Sequence, residues 1–290
     1  MLLENAPAKI NLSLHVTGRR ADGYHLLDSL VAFADVGDVL TLDPAAPPGL
    51  TLTGPRAGAI AAEGDNLVLR ATRELAARVP GLRSGRFHLE KHLPVAAGLG
   101  GGSADAGAAL RLLARLNDLA ADDPRLIAAA AATGSDVPVC LAAKARWMRG
   151  IGDVLSAPLA LPPLAALLVN PGVPTPTAAV FKALGLAPGA SAREIGEGAA
   201  ALEAAREGEA LLAALAATAN DLEAPALVVT PAVGEALASL RDLPGCRLAR
   251  MSGSGATVFG LFTDEAARNA GAENLRQTRP DWWIAAALIG

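Results

Sequence analysis

Residues 98–107 read GLGGGSADAG, with Gly98, Gly100, Gly101 and Gly102 almost side by side and Ser103 next. Glycine loses more backbone freedom on folding than any other residue, so such a cluster marks a place that needs bare backbone. The stretch from Arg86 to Leu93 alternates like a strand, and a helical pattern begins at Ser103. A loop that opens a helix offers unpaired N–H groups and the positive end of a dipole, which together suit a phosphate. The Ser103 hydroxyl adds a donor, and any Cβ in the loop is expected to obstruct the anion. No Gly-Lys-Ser/Thr follows, and Ser103 stands where a dinucleotide fingerprint would place its third glycine, so both of those motifs are excluded. A tight turn without a ligand is the alternative, and a lone glycine would favour it. Four glycines in the five positions 98–102 favour the phosphate.

Phosphoryl transfer to an alcohol also needs a base and positive charge near the reacting oxygen. Asp136, in TGSDVPV, is the candidate base, although the residues alone favour an Asp that caps a turn or helix. Lys9 alternates with Asn11 on one face of AKINLSLHVT, so both can serve one cleft. A lysine beside Asp136 would favour a developing alkoxide; a solvated edge-strand lysine is the plainer reading. Lys91, just before the loop, either helps to neutralise phosphates or faces solvent. The chain has one tyrosine, three tryptophans and five phenylalanines, which makes Gly23-Tyr24-His25 conspicuous. An aromatic face beside an imidazole can stack on a nucleobase and bond its edge, or simply cover a small surface cluster. Gly253, Ser254 and Gly255 form a second glycine turn, which either closes over a ligand or merely joins strands.

The elements that must position these groups form an α+β pattern. Strands are expected at 8–17, 26–36, 86–93 and 164–169, with another after the second glycine cluster. Helices are expected at 66–78, from Ser103 onward, and at 201–217. Ala106, Ala109, Leu110, Leu113 and Leu116 make the apolar stripe of the helix after the glycine loop. Prolines 158–163 mark the best domain boundary. The 290 residues suffice for one large domain or two ordinary ones. Mean hydropathy is +0.35, but the longest uncharged stretch, 154–181, is broken by six prolines and cannot form an unbroken spanning helix. The start, MLLENAPAKI, lacks a signal-peptide pattern. Two cysteines without metal-ligand spacing and a net charge of −4 point to a reducing cytoplasm and away from nucleic acid.

The segment PVAAGLGGGSADA (Pro94, Val95, Ala96, Ala97, Gly98, Leu99, Gly100, Gly101, Gly102, Ser103, Ala104 and onward) resembles the signature loop of the GHMP kinases. Further stretches agree in order along the chain: APAKINLSLHVTGRRADGYHLLDSL near the start, GDNLVLRA at 64–71, TGSDVPVCL at 133–141 and MSGSGATVFGLF at 251–262. The resemblance implies a two-domain fold. Residues 1–158 would form an ATP-binding α/β domain with a left-handed crossover, and 159–290 a ferredoxin-like domain, with the site between them. It implies ATP and Mg²⁺ as reaction partners, the loop holding ATP and Asn66 and Leu67 lining the adenine pocket. It implies Asp136 as the base with Lys9 beside it. Tyr24 and Phe181 would sandwich a cytosine while His25 reads its edge, and Asn11 and Thr177 would touch substrate. The implied reaction is phosphorylation of the 2-hydroxyl of a cytidylyl sugar-alcohol on the non-mevalonate route to isoprenoid precursors. Two rivals stay open, a mevalonate- or homoserine-type kinase and a non-catalytic nucleotide sensor. One departure is visible: Ala104 stands where the family often has a second serine.

Overall fold

A computed structural model describes residues 1–59, 66–191, 202 and 208–290. Gly64 and Asp65 of the GDNL stretch, and residues 201 and 203–207 of the expected alanine-rich helix, lie outside the described residues. The first elements are β1 (Leu2–Asn11), β2 (His15–Arg19), β3 (His25–Asp43), β4 (Gly49–Thr53), α1 (Leu67–Ala76) and β5 (Arg86–Glu90). The glycine loop leads into α2 (Gly101–Leu116), followed by α3 (Pro124–Thr133), α4 (Val137–Ala142), β6 (Arg146–Gly150), β7 (Val154–Leu155) and β8 (Leu164–Asn170). Then come α5 (Thr177–Leu184), α6 (Gly208–Ala216), α7 (Glu223–Val229), α8 (Ala232–Arg241), β9 (Cys246–Met251), β10 (Val258–Phe262), α9 (Glu265–Thr278) and β11 (Trp283–Ile289). No described helix is long and apolar enough to cross a membrane.

The chain divides into two compact units, each built from separated stretches. One gathers Met1–Lys9, Gly37–Val95 and Gly100–Lys144; the other gathers Ile10–Val36, Ala96–Leu99 and Ala145–Gly290.

In the first unit the end of β3 runs antiparallel to β5, pairing Val39 with Glu90 and Asp43 with Arg86, and β4 lies parallel to β5. Leu40, Leu42, Phe87 and Leu89 alternate inward and are fully buried. β3 extends past the expected end at Val36 because Gly37 lets the strand continue against the Ala6 and Pro7 backbone, where a Cβ has no room. Helix α1 buries Val68, Ala71 and Leu75, and its start is capped by Asn66, whose side-chain oxygen accepts from the Val68 N–H at 2.9 Å. Helix α2 is alanine-rich and buried nearly all round, so α1 and α4 approach it closely. Gly107 sets the closest approach: a Cβ there would lie 2.8 Å from the Cys140 carbonyl group. Gly107→Ala is therefore expected to lower stability by about 1–3 kcal/mol, the usual cost of overpacking, read as a lower denaturation midpoint at unchanged slope.

In the second unit β8, β9, β10 and β11 form an antiparallel sheet in the order β11-β8-β10-β9. Helix α8 lies in sequence between β8 and β9, and α9 between β10 and β11. That order and alternation is the ferredoxin-like arrangement, as expected. Leu167, Val169, Leu240, Met251, Val258 and Phe262 belong to its core. The first half of β3 pairs with β2 and β6.

Candidate active site

Gly100 takes a left-handed conformation (φ 60°, ψ 22°) as the residue before α2, and no side chain caps that helix. No acidic residue occupies its first turn. The helix thus starts two residues before the expected Ser103, with an N-terminus of a kind that suits an anion. The glycines at 100 and 101 have a reason beyond the expected one. A Cβ on Gly100 would lie 3.2 Å from Cβ and Cε of Lys9, and one on Gly101 would lie 3.3 Å from Lys91 Nζ. A Cβ at either position points at protein side chains. The bare backbone lets two lysines pack against the loop.

Lys9 is buried on β1, and its Nζ donates to Asp136 Oδ2 at 2.8 Å. Asp136 stands at the position before α4 but makes no capping bond with its side chain; the carboxylate goes to Lys9 instead and stays about a third exposed (32%). A buried ammonium and a partly open carboxylate thus meet beside the loop. Cys140, one turn further along α4, has its thiol pushed up to about 12 by burial and by Asp136, which leaves it inert.

Lys91 does not face solvent. Its Nζ meets Asp38 Oδ2 at 2.5 Å and Asp105 Oδ2 at 2.6 Å, and all three side chains are at most 5% exposed. Asp38 Oδ1 also accepts from the backbone N–H groups of His92 and Leu93, at 2.6 and 2.9 Å. Burial works against the Lys91 ammonium, but Asp105 and Asp38 outweigh it and hold Lys91 above its usual value. Neither Asp38 nor Asp105 was singled out from sequence. The available signal was a carboxylate inside an apolar strand (VGDVLTL) and another inside an apolar helix stripe.

In the second unit the start of the loop is tied to the second glycine turn. The Gly98 carbonyl accepts from Ser252 Oγ at 2.9 Å, and the Ala97 carbonyl accepts from the Thr257 N–H at 3.1 Å. Ser252 Oγ also accepts from the Asn11 N–H at 3.1 Å. The Asn11 amide donates to Ser29 Oγ at 2.8 Å, while its Oδ1 is buried without a partner. Gly253, Ser254 and Gly255 join β9 to β10, and Ser254 Oγ lies 2.7 Å from Thr177 Oγ1 on α5. Ser252, Thr257 and Ser29 were not marked from sequence; small hydroxyl residues carry no pattern of their own.

The structure adds a contact within the expected aromatic set. His25 stacks on Phe181, with ring centroids 4.4 Å apart and planes at 25°, while Tyr24 is 61% exposed. His25 Nε2 is buried without a partner, and burial together with Arg19 holds its pKa below the usual value, so the ring is neutral at pH 7. Arg19 fixes the turn: Nε donates to the Gly23 carbonyl at 3.1 Å and an end nitrogen to the Leu186 carbonyl at 2.8 Å. Among the remaining expected site residues, Pro94 and Leu67 are half-buried, Val95 and Ala96 are exposed, and Leu99 and Ala104 are buried.

Residues 66–144 match the family described as GHMP kinases N terminal domain, and residues 199–281 that described as GHMP kinases C terminal. A 4-diphosphocytidyl-2-C-methyl-D-erythritol kinase from Methylobacterium radiotolerans is 59% identical over 290 residues, covering 100% of this chain and 99% of that protein. The crystal structure of a 4-(cytidine 5'-diphospho)-2C-methyl-D-erythritol kinase has a TM-score of 0.79 to this chain at 35% identity, covering 100% of this chain and 99% of the other. A homoserine kinase from Cytophaga hutchinsonii has a TM-score of 0.70 at 18% identity, covering 97% and 93%; that likeness speaks for the fold alone. The two-domain architecture of mixed sheet and helices agrees with these matches. The chain belongs to the GHMP kinase family, and within it groups with the 4-diphosphocytidyl-2-C-methyl-D-erythritol kinases.

Proposed function

We propose that this chain uses ATP to phosphorylate the 2-hydroxyl of 4-diphosphocytidyl-2-C-methyl-D-erythritol, a step on the methylerythritol phosphate route to isoprenoid precursors. The observation that carries the reading is the Lys9–Asp136 pair, 2.8 Å apart, with the Lys9 side chain against Gly100 of the glycine loop. A base, a fixed positive charge and a phosphate cradle are the parts that phosphoryl transfer asks of a protein.

In this mechanism Asp136 Oδ accepts the proton of the substrate hydroxyl as its oxygen attacks the γ-phosphorus in line, and the bond from that phosphorus to the β,γ-bridging oxygen breaks to release ADP. Lys9 keeps its ammonium beside that oxygen and stabilises the charge that develops there. The uncapped start of α2, with Gly100, Gly101, Gly102 and Ser103, holds the phosphate oxygens, while Pro94 to Leu99 shape the approach and Asn66 and Leu67 line the adenine side. Bound Mg²⁺ supplies charge neutralisation across the phosphate oxygens. Among the described residues no group of three or more His, Cys, Asp or Glu side chains could hold a metal; the ion would enter with ATP, held mainly by phosphates and water.

Recognition of the cytidylyl end rests on His25, Phe181 and Tyr24. The neutral His25 ring presents a buried, unpartnered Nε2 that suits the edge of a cytosine. Asn11 Oδ1, also unpartnered, and the Thr177–Ser254 hydroxyl pair suit the alcohol portion, with Gly253 and Gly255 shaping the turn. This aromatic set separates the reading from a mevalonate- or homoserine-type kinase, whose small aliphatic substrate has no base to stack. The enzyme would work in the cytoplasm on small molecules, without nucleic acid. A coupled assay with ATP and each of the three alcohols tests the reading. Turnover is expected with the cytidylyl substrate alone; turnover of mevalonate or homoserine at a similar kcat/KM, or none with any alcohol, would reject it.

A further inference from the structure

The glycine loop sits on a buried cluster whose charges do not cancel. Asp38 on β3 and Asp105 on α2 both converge on the single ammonium of Lys91. Lys91 Nζ is in turn within 3.3 Å of where a Cβ on Gly101 would lie. Asp105 follows Gly101 by four residues, roughly 6 Å along the helix axis. Its second oxygen, Oδ1, is buried without a partner. With both carboxylates ionised, the cluster carries one net negative charge directly under a loop that receives phosphates. A proton on one carboxyl removes that charge and gives the orphaned oxygen a role as donor or neutral acceptor.

We propose that Asp38, Lys91 and Asp105 form a proton-coupled brace that positions the glycine loop, and that ATP binds with uptake of a proton onto this brace. The three are positioning residues, and the proton is taken from solvent. Asp38 fixes the chain entering the loop through the His92 and Leu93 N–H groups, and Asp105 fixes the helix leaving it. Lys91 joins the two.

Burial raises the Asp105 carboxyl to about 7; Lys91 opposes the rise and Asp38 adds to it. The charged groups that act most strongly on Asp105 are Lys91 and Asp38; Lys9 on β1, Asp136 before α4 and Arg111 on α2 act, as Asp105 does, on the neighbouring Cys140. From α4 it is faced by Cys140, an uncharged thiol. The buried residues of α1 and α3 next to α2 are Val68, Ala71 and Leu75, and Leu126, Ala129, Ala130 and Thr133, none of them charged. Anionic phosphates above the brace push the Asp105 carboxyl higher still, so ATP binding takes up a proton, and affinity falls as pH rises above about 7.

This inference rests on the loop's holding ATP, as proposed above. The test is calorimetric titration of the full chain with ATP and Mg²⁺, from about pH 7.5 to 8.5, in buffers of different ionisation enthalpy. In that range a terminal phosphate, with its second pKa near ~6, is already ionised. The wild-type protein is expected to take up a fraction of a proton, with affinity falling by up to about tenfold per pH unit, the limit for one coupled proton. Asp105→Asn keeps the shape and mimics the protonated carboxyl. It is expected to bind ATP without proton uptake, with a flat pH profile and tighter than wild type at pH near ~8.5. A merely structural role would weaken binding at every pH. Unchanged proton uptake in Asp105→Asn overturns the brace, as does wild-type binding with no proton exchange, which needs no variant. Wild-type protein that fails to bind ATP at all removes the cradle reading itself, and the brace falls with it.

Discussion

Asp136→Asn is expected to bind both substrates and to turn over at least about 100-fold more slowly, the usual loss when a general base is removed. The substitution keeps the shape and lets the amide oxygen still accept from Lys9 Nζ, which now lies 2.8 Å from the carboxylate. What it removes is the capacity to take a proton from the attacking hydroxyl. The substitution leaves the residues of the glycine loop and of the His25–Phe181 stack unaltered, so the KM values should move little. Lys9→Ala should also slow the reaction. It carries an additional cost, because the buried ammonium packs against Gly100 and its loss leaves a hole beside the loop. The double variant should lose less than the product of the two single losses, since both groups act on one oxygen. Steady-state and single-turnover kinetics on the three variants decide the matter. Near-normal turnover by Asp136→Asn with both ligands bound would take Asp136 out of the chemistry.

How much of this was legible before the fold was known differs from residue to residue. The strand–loop–helix unit could be read directly, because alternation, a glycine cluster and a helical stripe follow one another without interruption. The α+β class was likewise available from element order, and the ferredoxin-like half from the family resemblance alone. The function of the individual glycines was not. At 98, 100 and 101 a Cβ would meet Ser252, Lys9 and Lys91 respectively, partners that are distant in sequence or invisible to a local pattern. Asp136 illustrates the same limit. Its position before a short helix fits a cap, and only the distance to Lys9 separates a cap from a charge partner. Asp38 and Asp105 stand in apolar stretches where local reading treats a carboxylate as an interruption. Their burial makes sense only once Lys91 is seen to lie between them. The resemblance alone put Tyr24 and Phe181 on either side of a base, because no local pattern in the Gly-Tyr-His stretch says which ring turns inward. On β3 His25 is the first residue of the strand, and its ring, not that of Tyr24, lies over Phe181.

That geometry leads to the second large effect. Phe181→Ala is expected to raise KM for the cytidylyl substrate roughly 5- to 100-fold, the range that removal of one base-stacking ring produces, while KM for ATP stays within about twofold. Phe181 does two things here. It offers a ring face at the proposed base site, and it fixes His25, which stacks on it with centroids 4.4 Å apart. Removing it should therefore cost both stacking and the aim of the His25 Nε2. Tyr24→Ala, at a side chain that is 61% exposed beside the His25–Phe181 stack, should cost less than Phe181→Ala. The pH dependence separates the two contributions. His25 has its pKa lowered by burial and Arg19, so its neutral form, the one able to keep a nitrogen unprotonated, prevails at pH 7 and above. KM for the cytidylyl substrate should then be flat from about pH 7 to 8.5 and rise on acidification below the ordinary histidine range. In Phe181→Ala the ring loses the aromatic neighbour that helps to desolvate it, so the rise should begin at a higher pH. A Phe181→Ala variant with equal losses for ATP and the cytidylyl substrate would show a general loosening of α5. Base recognition would then have to rest on Tyr24.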